Sequence, residues 1–178
     1  MIITISGLPG SGKSTVGQIL SKKLKLKYYD IGLVRRSMAK VRGMTLAEFN
    51  KLGEKESFTD FEVDDYQKKL GKEKDGFILV SRLGYHFVPN SKKIFLTVDI
   101  NEAAKRISND PSRVEHEHYK SLKEAVEKIK ERNESDKTRY QKYYSLDPNK
   151  KANYDFVIDT SKKTPYEVVE LILKKMDK

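Results

Sequence analysis

Residues 7–14 read Gly7-Leu8-Pro9-Gly10-Ser11-Gly12-Lys13-Ser14 and satisfy the spacing G-x-x-x-x-G-K-[ST]. The setting matters more than the pattern. Ahead of it lies Ile2-Ile3-Thr4-Ile5-Ser6, short, apolar and β-branched, the composition of a strand buried on both faces. Behind it, Val16, Ile19, Leu20 and Leu24 recur at helical spacing. Strand, glycine loop and helix in that order make a phosphate cradle. The glycines let backbone N–H groups turn inward, and the helix N-terminus adds its positive dipole. Gly7 through Thr15 are therefore the candidate ATP-binding residues, with Lys13 reaching the β- and γ-phosphates and the Ser14 hydroxyl ligating Mg²⁺.

The 178 residues suggest one domain with a real core. Cysteine is absent, which excludes disulfides, thiolate zinc sites and a thiol nucleophile. The N-terminal apolar run is too short for a signal segment and no window could span a bilayer, so a cytoplasmic protein without membrane contact is expected. The net charge is +10. Its lysines are scattered along predicted helices, as in Lys22-Lys23, Lys68-Lys69 and Lys174-Lys175, which reads as solvated faces rather than a nucleic-acid surface. Such a field still draws in small polyanions such as nucleotides.

Strands and helices alternate along the chain, which predicts an α/β fold with a five-stranded parallel sheet and helices on both faces. Strands are expected at 2–6, 26–29, 77–81, 93–98 and 154–158. Helices are expected from Ile31 to Arg42, ending at Gly43, and from Phe58 to Leu70. Capping boxes at Thr45-Leu46-Ala47-Glu48 and Ser121-Leu122-Lys123-Glu124 open two more, the second running to about Tyr144. Asp99 reads as the N-cap of a helix over 101–107, and Thr164-Pro165 starts the last one. Helical residues 31–72 thus form an insert between the second and third strands, and a polar stretch fills 108–120.

Several arginines fall where an anion could be gripped. Arg36 follows the second strand, and Arg82 ends the third, at the carboxyl edge where ligands of open parallel sheets sit. Arg132, Asp136 and Arg139 recur at i, i+4 and i+7 and share a helix face. The guanidinium fork suits phosphate oxygens and charge building up on a transferring phosphoryl group, with Asp136 placed to fix the rotamers of its two neighbours. On spacing alone, a surface ion-pair ladder is the simpler reading.

Taken together, the chain resembles nucleoside monophosphate kinases, and most closely the archaeal-type cytidylate kinases. The resemblance covers nearly the whole length. It is carried by Ile3 to Gly12, by Asp30-Ile31-Gly32-Leu33-Val34-Arg35-Arg36, by Arg42-Gly43-Met44-Thr45-Leu46-Ala47-Glu48-Phe49, by Ser81-Arg82-Leu83, by Arg132 to Tyr140 and by Ile158-Asp159-Thr160-Ser161. The resemblance implies one kinase domain over 1–178, with an acceptor-binding insert at about 31–72 and a lid at about 108–121. It implies transfer of the γ-phosphoryl group of ATP to CMP or dCMP with Mg²⁺, by a monomer acting on small molecules. Lys13, Arg132, Asp136 and Arg139 then take catalytic roles, and Arg36 and Arg82 hold the acceptor phosphate.

Two positions depart from that family. Many members carry Thr-Thr or Thr-Ser where this chain has Lys13-Ser14, and they place an acidic residue where it has Val80. Asp30 is the substitute candidate for the metal, together with Ser14. Asp60, Asp64 and Gln67 share a face in the insert and are candidates for reading the acceptor base; a solvated acidic face is the alternative. His116 and His118 lack a third ligand and are not expected to bind metal. Tyr140, Tyr143 and Tyr144 fit helix packing better than base stacking. Another nucleotide kinase, such as an adenylate kinase, or a P-loop regulatory ATPase with a protein or RNA partner would share part of this residue set.

Overall fold

The computed structural model describes residues 1–111 and 119–176. Its elements in chain order are β1 (Ile2–Gly7), α1 (Lys13–Leu24), β2 (Lys27–Asp30), α2 (Ile31–Val41), α3 (Leu46–Gly53), α4 (Phe58–Glu73), β3 (Phe77–Val80), α5 (Gly84–Phe87), β4 (Lys92–Thr97), α6 (Ile100–Ser108), α7 (Leu122–Tyr144), β5 (Phe156–Asp159) and α8 (Pro165–Met176). The strands form one sheet in the order β2-β3-β1-β4-β5, and every pairing is parallel. The chain runs from β1 out to the β2 edge, returns through β3, and crosses to β4 on the other side of β1. All five carboxyl ends therefore face the same way, and ligands of such sheets gather there.

Strand alternation sorts the core into two faces. Ile3, Ile5, Ile78 and Val80 pack with Val16 and Leu20 of α1 and with Val168, Val169 and Ile172 of α8. Phe77 and Leu79 point the other way, onto Val63 and Leu70 of α4. Two further clusters seat the long helix. Tyr140 joins Leu83, Tyr85, Phe95 and Tyr154, while Ala125 and Ile129 join Ala103, Ala104 and Ile107 of α6. Tyr144 stacks edge-on to Phe87 at 5.4 Å, and both Tyr143 and Tyr144 meet Phe61, so the tyrosine cluster is packing.

Local signals explain the element ends. Thr45 Oγ1 accepts from Glu48 N, and Glu48 returns to Thr45 N at 2.8 Å, a complete capping box. The Asp99 carboxylate accepts from Asn101 N and Glu102 N, and Ser121 caps α7 through Glu124 N. The four-residue α5 is an element the sequence pattern did not announce, since a single aromatic turn shows no periodicity. β2, β4 and β5 are offset by one or two residues from the apolar runs that predict them, because the ladder ends by backbone pairing and not by hydropathy.

Gly17 of α1 lets the helix lie against the sheet. A Cβ there would stand 2.8 Å from Val80 Cγ2 and 2.9 Å from Tyr28 Cε2. Gly17→Ala is therefore expected to destabilise despite its better helix propensity, by about 1–2 kcal/mol. An unchanged or raised midpoint in a denaturant titration would contradict this packing.

Candidate active site

A cavity of about 430 Å³ opens at the carboxyl edge of the sheet. Pro9 through Val16 form one wall, and Asp30, Arg36, Arg82, Arg106, Arg132 and Lys163 form much of the rest. The loop that begins it needs its first glycine. Gly7 has φ 148°, and a Cβ there would meet Leu96 O at 2.2 Å, so β1 could not approach β4 with any larger residue. Leu8 N donates to Leu96 O, and Thr160 Oγ1 donates to Ser11 O at 3.2 Å, so the loop is tied to the ends of two other strands. Gly12, at φ 81°, caps α1 with no side-chain acceptor, which leaves first-turn N–H groups for an anion. Lys13 Nζ donates to Leu8 O at 2.6 Å, inside the loop it serves.

Ser14 and Asp30 meet although sixteen residues separate them. Ser14 Oγ donates to Asp30 Oδ2 at 2.6 Å, and Tyr28 OH donates to the same oxygen at 2.9 Å. Burial, and then the Asp30 charge, push the Tyr28 phenol above its ordinary range, so it stays a proton donor to the carboxylate. Asp30 and Val80 are direct partners in the β2–β3 ladder. The carboxylate therefore stands one strand over from Val80, at the same height along the sheet. A hydroxyl and a carboxylate are hard oxygen donors of the kind Mg²⁺ accepts beside phosphate oxygens and water. Among the described residues no three His, Cys, Asp or Glu side chains converge into a metal cage. His116 and His118 lie outside the described residues.

The arginines divide into two groups. Arg36, Arg82 and Arg132 line the cavity. Arg82 is held in place: it donates to Gly7 O at 2.8 Å and to Asn133 Oδ1 at 2.9 Å, and pairs with Asp136 Oδ2 at 2.7 Å. Burial alone would raise the Asp136 carboxyl, but Arg82, Arg139 and Arg132 outweigh it and hold it down at about 2. Asp136 is thus an orienting anion beneath the cleft. Arg139, expected to be catalytic, stands apart from this cleft. Its side chain is fully buried, is not part of the lining of this cavity, and pairs with both Asp60 and Asp136. The reason is two helical turns: seven residues move a side chain about 10 Å along α7, from the cleft into the core.

Asp60, Asp64 and Gln67 do not form the solvated face that was the alternative for them; all three are buried. They do not line the phosphate cavity either. Asp60 pairs with Arg35 and Arg139. Asp64 accepts from Gln67 Nε2 at 2.8 Å and from Tyr144 OH at 2.6 Å, and Ser81 Oγ donates to Gln67 Oε1 at 2.5 Å. These groups fasten the insert to α7 and β3. Three cavity or network residues escaped the sequence reading. Arg106 is fixed by Glu102 and Thr160 O, Lys163 follows β5, and Arg35 donates to Asn50 Oδ1 and Thr59 O. Only Arg106 left a trace, as the i+4 partner of Glu102 on a short helix.

Removing Arg139 takes a cation from each of two buried carboxylates and leaves Asp60 only Arg35 and Asp136 only Arg82, so Arg139→Ala is expected to cost about 3–5 kcal/mol, whereas Arg132→Ala costs at most about 1 kcal/mol. Equal denaturation midpoints for the two variants would refute this division. Burial, with Asp60 adding to it and the Tyr144 hydrogen bond opposing, raises the Asp64 carboxyl from 3.8 to about 7. A carboxyl raised on folding stabilises most below its unfolded value and loses that contribution as pH rises through the folded one. The midpoint difference between wild type and Asp64→Asn should therefore shift against the wild type between pH 4 and pH 7, by a few degrees. A flat difference across that window would show Asp64 ionised throughout.

The model of the cytidylate kinase-like family matches residues 2–162. A cytidylate kinase of Methanosarcina acetivorans is 36% identical over 99% of this chain and 97% of its own. One of Sulfolobus acidocaldarius is 37% identical over 97% and 92%. Among solved structures, a shikimate kinase of Bacteroides thetaiotaomicron superposes with TM-score 0.66 at 13% identity, covering 100% of this chain and 99% of its own, which speaks to the fold alone. An uncharacterised protein of Eubacterium ventriosum superposes with TM-score 0.70 at 22% identity, over 99% and 98%. Glycine loop, parallel sheet and full-length sequence agreement converge, and the chain belongs to the cytidylate kinase-like family.

Proposed function

We propose that the protein transfers the γ-phosphoryl group of ATP to CMP or dCMP, giving ADP and CDP or dCDP. The observation that carries this reading is agreement, from end to end, with relatives named cytidylate kinase. The cavity supports it: a glycine loop and four arginines facing one space are more than a nucleotide-sensing module needs. We further infer a cytoplasmic monomer acting on small molecules without nucleic acid, with residues 31–72 as the acceptor-binding insert. Among the described residues no helix is long and apolar enough to cross a membrane. The lid expected at about 108–121 falls largely on residues 112–118, outside the described ones.

The acceptor is itself a phosphate, so its oxygen attacks without a general base, and the work is positioning and charge neutralisation. Backbone N–H groups of residues 10–15 and Lys13 hold the donor phosphates. Arg36 and Arg82 hold the acceptor phosphate, Arg82 already aimed by Asp136, Asn133 and Gly7 O. Arg132 neutralises charge on the group in transit. Ser14 and Asp30 would hold Mg²⁺, which when bound shields the β- and γ-oxygens.

Release of ADP measured against a panel of nucleoside monophosphates tests the reading. CMP or dCMP should stimulate it well above the rate in water, and AMP should not; failure of every monophosphate would favour a regulatory ATPase. Lys13→Ala should abolish transfer with its thermal midpoint intact. Arg132→Ala should lower kcat by on the order of 100-fold, with partial rescue by Arg132→Lys, since an ammonium lacks the bidentate fork. Normal turnover in either alanine variant would remove that residue from the mechanism.

A further inference from the structure

The phosphate cavity leaves the acceptor's base without a reader. Asp60, Asp64 and Gln67 satisfy one another and their neighbours, so recognition falls to other groups. A second cavity, of about 620 Å³, lies between α3 and α7. Its walls are fixed relative to each other at one end, where Tyr143 OH donates to Gly53 O at 2.7 Å and Lys142 Nζ donates to Glu54 O at 2.8 Å. Arg132 lines both cavities, so a ligand with its anionic end in the phosphate cleft and its body beside α3 would pass one guanidinium.

The lining is chemically particular. Asn50 of α3 and Glu54, its C-cap residue, stand one turn apart, a separation of about 5–6 Å between Cβ atoms. Ser135 and Thr138 face them from α7. The Asn50 side chain is buried and its orientation is set, because Arg35 Nε donates to Oδ1 at 2.8 Å. That leaves Nδ2 as the amide's donor to a ligand. Glu54 supplies a carboxylate, and Lys51 beside it holds the carboxyl below its usual range, so it is an acceptor only.

We propose that this second cavity receives the nucleoside of the acceptor, with Glu54 accepting from an exocyclic amine of the base and Asn50 Nδ2 donating to the adjoining ring or carbonyl acceptor. The proposal rests on the phosphoryl-transfer reading above. The cytosine edge carries that sequence of groups, an N4 amine beside the N3 and O2 acceptors. Uracil puts a carbonyl oxygen where the amine would be, and that oxygen would face the carboxylate unpaired. A polar site with one group left unpaired discriminates far more strongly than an apolar one. Arg35 is a positioning residue here, acting through the Asn50 amide.

Asn50→Asp keeps the oxygen that Arg35 needs, deletes the N–H donor and adds a negative charge. Glu54→Gln keeps shape and deletes the charge. Calorimetric titration of CMP and of UMP, with the KM values for CMP and ATP, is run on wild type and both variants. The expected result is that Asn50→Asp weakens CMP binding by about tenfold or more while the ATP KM holds. Glu54→Gln should move the CMP-to-UMP preference toward UMP by about tenfold. Wild-type affinity and unchanged CMP-to-UMP preference in both variants would overturn the pocket and leave the kinase reading standing. A wild-type protein that binds no CMP would overturn both.

Discussion

Arg139 carries its charge where water cannot reach it. Its guanidinium is shared by Asp60 of α4 and Asp136 of α7, and Arg35 of α2 closes on the same Asp60. An isolated ion so buried would be driven neutral; two carboxylates and a second guanidinium make the arrangement tenable. The other oxygen of Asp136 holds Arg82, and Arg82 reaches the carbonyl of Gly7 at the start of the phosphate loop. One buried charge thus connects the helical insert, the long helix, the end of β3 and the nucleotide cradle. The insert cannot shift without disturbing the ions that aim Arg82.

The fold was legible because its signals are local. β-branched runs, glycine and proline punctuation and three side-chain caps each name an element within a few residues. Parallel pairing followed from the alternation of strand and helix. The strand order did not, since β3 between β2 and β1 is a fact about crossovers and no window of sequence contains it. Edge strand β2 was faint for a physical reason: Tyr28 and Tyr29 are only half-buried, so its hydropathy is diluted.

The site was legible in proportion to how much of it is one segment. Pro9 through Val16 line the cleft contiguously, and Arg36, Arg82 and Arg132 reach the same cavity from three distant parts of the chain. Helical spacing places Arg132, Asp136 and Arg139 on one face. It does not tell which end of that face borders solvent and which borders α4. The same limit hid Arg35, one residue from Arg36 and turned by about 100° around the helix, which faces the buried carboxylate while its neighbour faces the cleft. Asp60, Asp64 and Gln67 looked like a polar stripe because sequence cannot show that Tyr144 and Ser81 come to meet them.

The bond from Thr160 to the Ser11 carbonyl spans 149 residues, nearly the length of the protein. The glycine loop is written in residues 7–14, yet its shape is clamped by β4 and by the residue that follows β5. During synthesis the loop emerges first and stays unclamped until the last strand has left the ribosome and docked. Local helices can form early, but the cradle closes only with the most distant contact in the sheet. A truncated nascent chain therefore carries the whole glycine motif without the hydrogen bond that ties it to the end of β5.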